Sequence, residues 1–232
     1  MRPVDRGSPP KRGGSPVVFT DYGEALPHLT RRLGKYCSYC ERRFPAGLGV
    51  EHVRPKSRHP RLRRAWDNLL LGCLNCNPTK GRRAIRLPHY YWPDRDNTFR
   101  AFRYLAGGVI VVDPDLTPLQ QARARRTLRL TGLDRVQGGS RRPSPRDERW
   151  NDRRKAWNLA QHALAHLRRD RSPELRAQIV DTAEQNGHWS IWMTVFKADP
   201  DMMRCFIRRF PRTARDCFDY LGNPRRRPGG AL

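Results

Sequence analysis

This 232-residue chain is short of acid: 22 Asp and Glu stand against 47 Lys and Arg, a formal charge of +25. So unbalanced a charge repels itself in a compact state unless a polyanion answers it. Long apolar runs are missing too, which excludes a membrane-spanning helix. No charged leader followed by an apolar stretch marks the chain for secretion, so a cytoplasmic location is expected. Cysteine is sparse, six residues in all, and without a secretory leader a disulfide framework is not expected. No internal repeat is present, which removes solenoid and propeller architectures.

What is present is basic and rich in arginine, the side chain suited to bidentate phosphate contacts. Nucleic acid is therefore the first partner to consider, because bound Lys and Arg release counterions condensed on phosphates. An acidic protein partner is the blander alternative. Residues 1–16, rich in Pro, Gly and Arg, read as a flexible basic tail. A short helix is expected from Thr20 to Leu33, capped by Thr20 or Asp21 and stopped by Gly34. Two apolar runs around Gly107-Gly108, between Thr98 and Val112, predict a β-hairpin.

A helical half follows. Thr117-Pro118 opens a helix that Gly132 closes, with Leu119, Ala122, Leu128 and Leu130 as its expected buried stripe. Trp150, Trp157, Ala160, Leu164 and Leu167 mark a second amphipathic helix. Ser172-Pro173 and Asp199-Pro200 open two more. Cys205 and Cys217 sit in apolar patterns and read as buried small hydrophobes. The expected class is α+β: a small metal-rich unit at 17–114 with its flanking helix and hairpin, a helical domain at 115–222, and a tail at 223–232.

The chemistry concentrates between Cys37 and Gly81. Cys37/Cys40 and Cys73/Cys76 are two C-x-x-C knuckles, each placing two thiolates on one side of a tight turn. Together they complete a tetrahedral sulfur shell of the kind zinc accepts, with no position left open for water. A redox C-x-x-C would need no second pair. The 32 residues between the knuckles imply a functional insert, read as strand, long loop and strand, with a short helix after the second knuckle.

Phosphodiester hydrolysis needs an activated water, a cation on the phosphate oxygens and charge relief at the leaving oxygen. His52 is a candidate general base, since imidazole is available neutral near pH 7. Glu51 and Asn77 offer oxygen ligands to a hard cation such as Mg²⁺ or Mn²⁺. Asn68, the other candidate catalytic residue, has the amide needed to pin the loop or orient the imidazole. Lys56, Lys80, Arg82 and Arg83 are the expected phosphate contacts, with Arg63-Arg64 and Arg141-Arg142 as flanking tracks. Each also has an ordinary structural reading: Asn77 as a helix cap, Asn68 as a turn former, Lys80 as a solvated lysine. Consecutive strand residues point to opposite faces, so Glu51 and His52 serve one site only where the strand bends.

Taken as a set, Glu51-His52, Pro55-x-Ser57, Asp67-Asn68-Leu69 and Cys76-Asn77-x-x-Lys80-Gly81 resemble the HNH endonucleases, which wrap a hairpin and a short helix around one divalent cation. The resemblance implies His52 as general base, Glu51 and Asn77 as ligands of the catalytic metal, Asn68 as the residue holding the loop, and the four cysteines as zinc ligands. Glu51 stands where the family usually has Asp. Within the family, the form CxYCExR…EHVRPKS…NLLLGCxNCNxxKG looks similar to the HNH subunits of Septu and certain retron anti-phage systems, which implies an ATPase partner. That likeness thins beyond residue 90. Two rival readings keep the same cysteines and charge: a non-catalytic zinc module that binds nucleic acid, and an adaptor whose helical region engages a protein.

Overall fold

The computed structural model describes residues 1–232. Two short exposed strands, β1 (Lys11–Arg12) and β2 (Ser15–Pro16), form a hairpin at the surface. The expected first helix divides in two. Asp21 accepts a bond from the Gly23 N–H at 2.7 Å and caps a 3₁₀ turn, Tyr22–Glu24, which runs into α1 (Ala25–Leu33). Ala25, Leu29 and Leu33, at four-residue steps, form the buried stripe of α1, and Gly34 ends the helix.

Strand β3 (Gly49–His52) pairs antiparallel with β4 (Leu69–Gly72), with His52 opposite Leu69 and Gly49 opposite Gly72. Leu69, Leu70 and Leu71 are all buried, so β4 is covered on both faces and α1 packs against the pair. The single-turn helix α2 (Cys76–Lys80) follows the second knuckle, and Gly81, with φ +61°, stops it. Strand, loop, strand and short helix thus follow one another in the expected order.

The second expected hairpin is β5 (Phe102–Leu105) with β6 (Val109–Val112). Gly108 in its turn has φ +75°, and a Cβ there would lie 2.6 Å from the Trp150 carbonyl and 2.7 Å from the Arg154 nitrogen. Only glycine lets α4 (Arg149–Arg169) rest backbone to backbone on this turn. The remaining helices are α3 (Pro118–Thr131), α5 (Pro173–Asn186), α6 (Trp189–Val195) and α7 (Pro200–Arg209). Thr117, Ser172 and Asp199 cap α3, α5 and α7, each followed by Pro as expected.

Five features differ from the sequence reading. Residues 1–16 are not a tail throughout: Arg2 is buried over the Tyr36 and Phe210 rings and donates to the Pro211 and Leu33 carbonyls at 2.6 and 2.8 Å. At the other end, the Leu232 carbonyl accepts from the Asn97 N–H at 3.0 Å, so 223–232 also lies on the body. The stripe of α3 shifts away from Leu119, which is 62 % exposed, toward Ala124, Thr127, Leu128, Leu130 and Thr131. Thr127 is buried because its hydroxyl accepts the Tyr91 N–H at 2.8 Å. On α4, Trp150, Trp157 and Leu164 are only half-buried, while Arg149, Arg153, Ala156, Ala160 and Leu167 line the inner face. Cys217 is buried as expected; Cys205 is half-buried.

One apolar core extends from Met1 to Leu232 and crosses the expected division at 114/115 without a break. Glu41, beside the first knuckle, accepts the Ser190 N–H and hydroxyl at 2.7 Å each, tying α6 to the metal-binding half. No helix is long and apolar enough to cross a membrane.

Candidate active site and structural metal centre

The two knuckles meet. The sulfurs of Cys37, Cys40, Cys73 and Cys76 all lie within 4.8 Å of one another, and those of Cys40 and Cys73 are 3.8 Å apart. Bonds of about 2.3 Å to a tetrahedral metal separate sulfurs by about 3.8 Å, so the shell suits a structural metal of zinc's kind. All four residues are buried. The first knuckle is stitched to β4 by the Ser38 N–H, which donates to the Leu71 carbonyl at 2.9 Å. The second leads directly into α2, so the sulfur cluster fixes the hairpin and the short helix relative to each other.

One arginine of α4 bonds to this cluster, and a second, Arg153, is buried one turn further along the helix. Arg149 donates to the Cys76 sulfur at 3.1 Å, to the Thr131 carbonyl at 2.7 Å, and through two nitrogens to the Asp147 carboxylate at 2.7 Å each. Burial opposes its charge, but Asp147 and the Cys76 sulfur outweigh burial and hold its pKa above the ordinary value. Arg153 is buried without a carboxylate partner, donating only to the Gly108 and Leu133 carbonyls at 2.8 and 3.2 Å. Burial pushes its pKa down to about 10, with the Cys40 thiol the largest opposing influence. Arg153 is thus satisfied by carbonyls, as Arg2 is.

Beside the cluster opens a cleft of about 510 Å³, bordered by Glu51, His52, Lys56, Asn77, Lys80 and Arg82. Gly72 makes it possible: a Cβ there would lie 2.9 Å from the Glu51 Cβ and 3.3 Å from the Asn77 Cβ. Glu51 is 1 % exposed. Its Oε1 accepts from the Lys80 ammonium at 2.8 Å and the Tyr39 hydroxyl at 3.2 Å, leaving Oε2 uncommitted. Burial raises the Glu51 pKa, and Lys80 and Tyr39 offset part of the rise. Lys80 also donates to the His52 carbonyl at 2.7 Å, so one ammonium spans both residues of the Glu-His pair. The pair borders one cleft because β3 ends at His52 and the chain bends there.

The His52 ring has a defined tautomer. Nε2 lies 2.9 Å from the Arg63 carbonyl, which only accepts, so Nε2 carries the proton and Nδ1 is the free base. The edge of Tyr22 packs on the ring, with centroids 5.0 Å apart. Burial lowers the His52 pKa; the Arg63 carbonyl opposes that, while the charges of Lys56, Lys80 and Arg63 reinforce it. The imidazole is therefore neutral near pH 7.

The structure brings Glu51, His52 and Asn77 together and separates Asn68 from them. Asn68 is buried in the loop, accepting the Arg54 N–H at 2.8 Å and donating to the Arg54 and Leu62 carbonyls at 3.0 and 3.1 Å. It shapes the loop that carries the Arg63 carbonyl, and it does not border the cleft. Lys80 is likewise no surface phosphate contact: it is 2 % exposed, because the buried Glu51 carboxylate draws its charge inward. Lys56 and Arg82 are exposed at the cleft edge, whereas Arg83 donates to the Leu130 carbonyl at 3.3 Å, at the end of α3. Sequence reasoning missed Tyr22, Tyr39, Arg149 and Arg153. Only Gly72, a glycine closing an apolar strand before a cysteine, carried a local signal.

The buried sulfur cluster, the hairpin and the short helix thus surround a cleft bordered by Glu51, His52 and Asn77. Residues 37–83 match the family model of the HNH endonucleases. No curated protein matches the chain.

Proposed function

We propose that this protein is a divalent-cation-dependent HNH endonuclease that hydrolyses DNA phosphodiester bonds, with zinc in its sulfur shell. The observation that carries the reading is the pairing of a free His52 Nδ1 with the uncommitted Glu51 Oε2 and Asn77 in one cleft. His52 takes the proton of the attacking water on Nδ1, and its Nε2–H bond to the Arg63 carbonyl steadies the charge formed on the ring. Glu51 and Asn77 are the residues to hold Mg²⁺ or Mn²⁺, which supplies electrostatic relief at the phosphate and the leaving oxygen. Lys80 keeps the Glu51 carboxylate in place, and Lys56 and Arg82 draw the strand across the cleft. The family resemblance adds a 5′-phosphate and a 3′-hydroxyl as products.

Supercoiled-plasmid cleavage with Mg²⁺ or Mn²⁺ tests the proposal. Wild type should cleave; His52→Ala and Glu51→Ala should not, although His52→Ala should bind DNA as tightly as wild type. A folded, zinc-loaded His52→Ala variant that cleaves normally would refute the assignment of the base. Loss of binding together with cleavage would mark His52 as structural. The likeness to Septu and retron subunits extends the reading to a cytoplasmic role in anti-phage defence with an ATPase partner, which co-purification from its source cells would reveal.

A further inference from the structure

At the far end of α1, Ser8, Arg31, Arg32, Arg208, Pro211, Arg212 and Arg215 line a depression of about 470 Å³ that has no acidic side chain in its wall. These five arginines come from α1, from the last turn of α7, and from the loop and 3₁₀ turn (Arg215–Cys217) after α7. Their convergence has a partial structural cause, since cations stabilise helix C-termini. Two helix ends contribute about half a negative charge each, and Asp5 pairs with Arg212 at 2.9 Å, which leaves about three positive charges unanswered. Arg31, Arg208 and Arg215 are exposed and form no ion pair, and burial together with Arg212 and Arg31 holds the Arg32 pKa below its ordinary value. Such self-repulsion is tolerated where a polyanion is the intended occupant.

A continuous line of groups joins the depression to the cleft. Tyr22 touches the His52 ring, and Arg63, bonded to Asp21 at 3.1 Å, lies over the Tyr22 ring. Arg64 donates to the Phe19 carbonyl at 3.2 Å; Phe19 packs on His28, and His28 lies against Arg31. The 3₁₀ turn and α1 as far as Arg31 rise about 15 Å together. That is about four base steps of duplex at roughly 3.4 Å each.

We infer that the arginine depression is a second phosphodiester-backbone site, taking the arm of a duplex that leaves the cleft past Tyr22, Arg63 and Arg64 and follows α1. The inference rests on the nucleic-acid reading of the cleft. It uses groups from outside the matched segment 37–83, and it makes the surface of α1 and the end of α7 part of the DNA track.

The test compares the triple variant Arg31→Ala/Arg208→Ala/Arg215→Ala with wild type and with a charge-matched control, Arg125→Ala/Arg126→Ala/Arg129→Ala, on the exposed face of α3. Affinity for a 30-base-pair duplex is measured from 50 to 200 mM salt without added divalent cation. No cleavage step enters, so failure of the nuclease assignment would leave this result readable. Loss of three phosphate contacts should make the slope of log affinity against log salt shallower by about 2.7, so the variant should lose about 40-fold less affinity than wild type over that range. The control should keep the wild-type slope. An unchanged slope in the depression variant overturns the inference, as does an equal change in both triples, which would reflect net charge alone. Should poly-glutamate binding fall while DNA binding stays, the occupant is an acidic protein and the inference is also overturned. Zinc content and melting temperature verify that each variant is folded.

Discussion

Arg149→Met is the most informative single change for the metal centre. Methionine keeps much of the volume but removes every donor, so the bidentate pair with Asp147 and the bonds to the Cys76 sulfur and Thr131 carbonyl are lost together. The Asp147 side chain is 5 % exposed and would remain buried without its cation. Removing one partner of a buried ion pair costs about 3–5 kcal/mol. For a chain of this size, at about 2–4 °C per kcal/mol, that is about 6–20 °C in melting temperature. The sulfur also loses its N–H donor, and changes in groups that support metal ligands lower metal affinity by about 10–100-fold. Scanning calorimetry reads the first effect, and competition for zinc with a chromophoric chelator reads the second. Arg149→Met/Asp147→Asn separates them. Removing the stranded carboxylate should recover part of the melting temperature, while zinc affinity stays low because the bond to Cys76 is still missing. An Arg149→Met protein with wild-type zinc affinity and a melting temperature within about 2 °C of wild type would refute the reasoning.

Other changes probe other groups. Gly72→Ala should keep the fold and the zinc, yet displace Glu51 or Asn77 and slow single-turnover cleavage by about 100-fold, the usual cost of an ångström-scale misplacement; unaltered turnover would show that the cleft is not so tightly set. Lys80→Met should destabilise by about 3 kcal/mol by stranding Glu51, and Lys80→Met/Glu51→Gln should restore much of that stability in denaturant titrations. His188 is buried with its pKa pushed down to about 3, chiefly by burial. The unfolded state binds its proton near pH 6.5 and the folded state does not, so stability is full above that pH and declines as pH falls toward 3. Between pH 6.5 and 5 the loss is about 2 kcal/mol, or about 4–8 °C. His188→Asn, which tolerates the left-handed backbone at φ +54°, should flatten this part of the melting-temperature profile, and an identical profile would exclude His188 as the cause.

The metal-binding half was legible in the sequence because its signals are local. Cysteine spacing, the Glu-His pair and turn-forming glycines each report on a few adjacent residues. The helix starts were legible for the same reason: Thr117, Ser172 and Asp199 announce their caps, and Pro follows each. Helix α6 escaped because nearly all of Trp189–Val195 is buried, which leaves no polar face to set a period. The stripes of α3 and α4 were misread because their inner faces carry Thr and Arg, placed there by long-range partners such as Tyr91 and Gly108. Lys80 was misread in the same way. A lysine near a basic loop looks solvated until a carboxylate 29 positions away is folded onto it.

The scarcity of acid that marks the composition also shapes the interior. Few carboxylates are available to match buried cations, and the chain uses other acceptors. Arg2 lies over two rings and against two carbonyls, Arg153 donates to two carbonyls, and Arg149 divides its donors between Asp147, a carbonyl and a cysteine sulfur. Carbonyls satisfy the N–H groups but supply no net charge, and of the ionisable groups that oppose the lowering of the Arg153 pKa, Cys40 comes first, ahead of Tyr104 and Asp147. Negative charge on the sulfur cluster would therefore favour the docking of α4. Helix α4 rests on the Gly108 turn and bonds to Cys76 at the start of α2, the helix that carries Asn77 and Lys80. The helical half is thus joined to the short helix of the cleft through Arg149 and Cys76, although none of its residues borders the cleft itself.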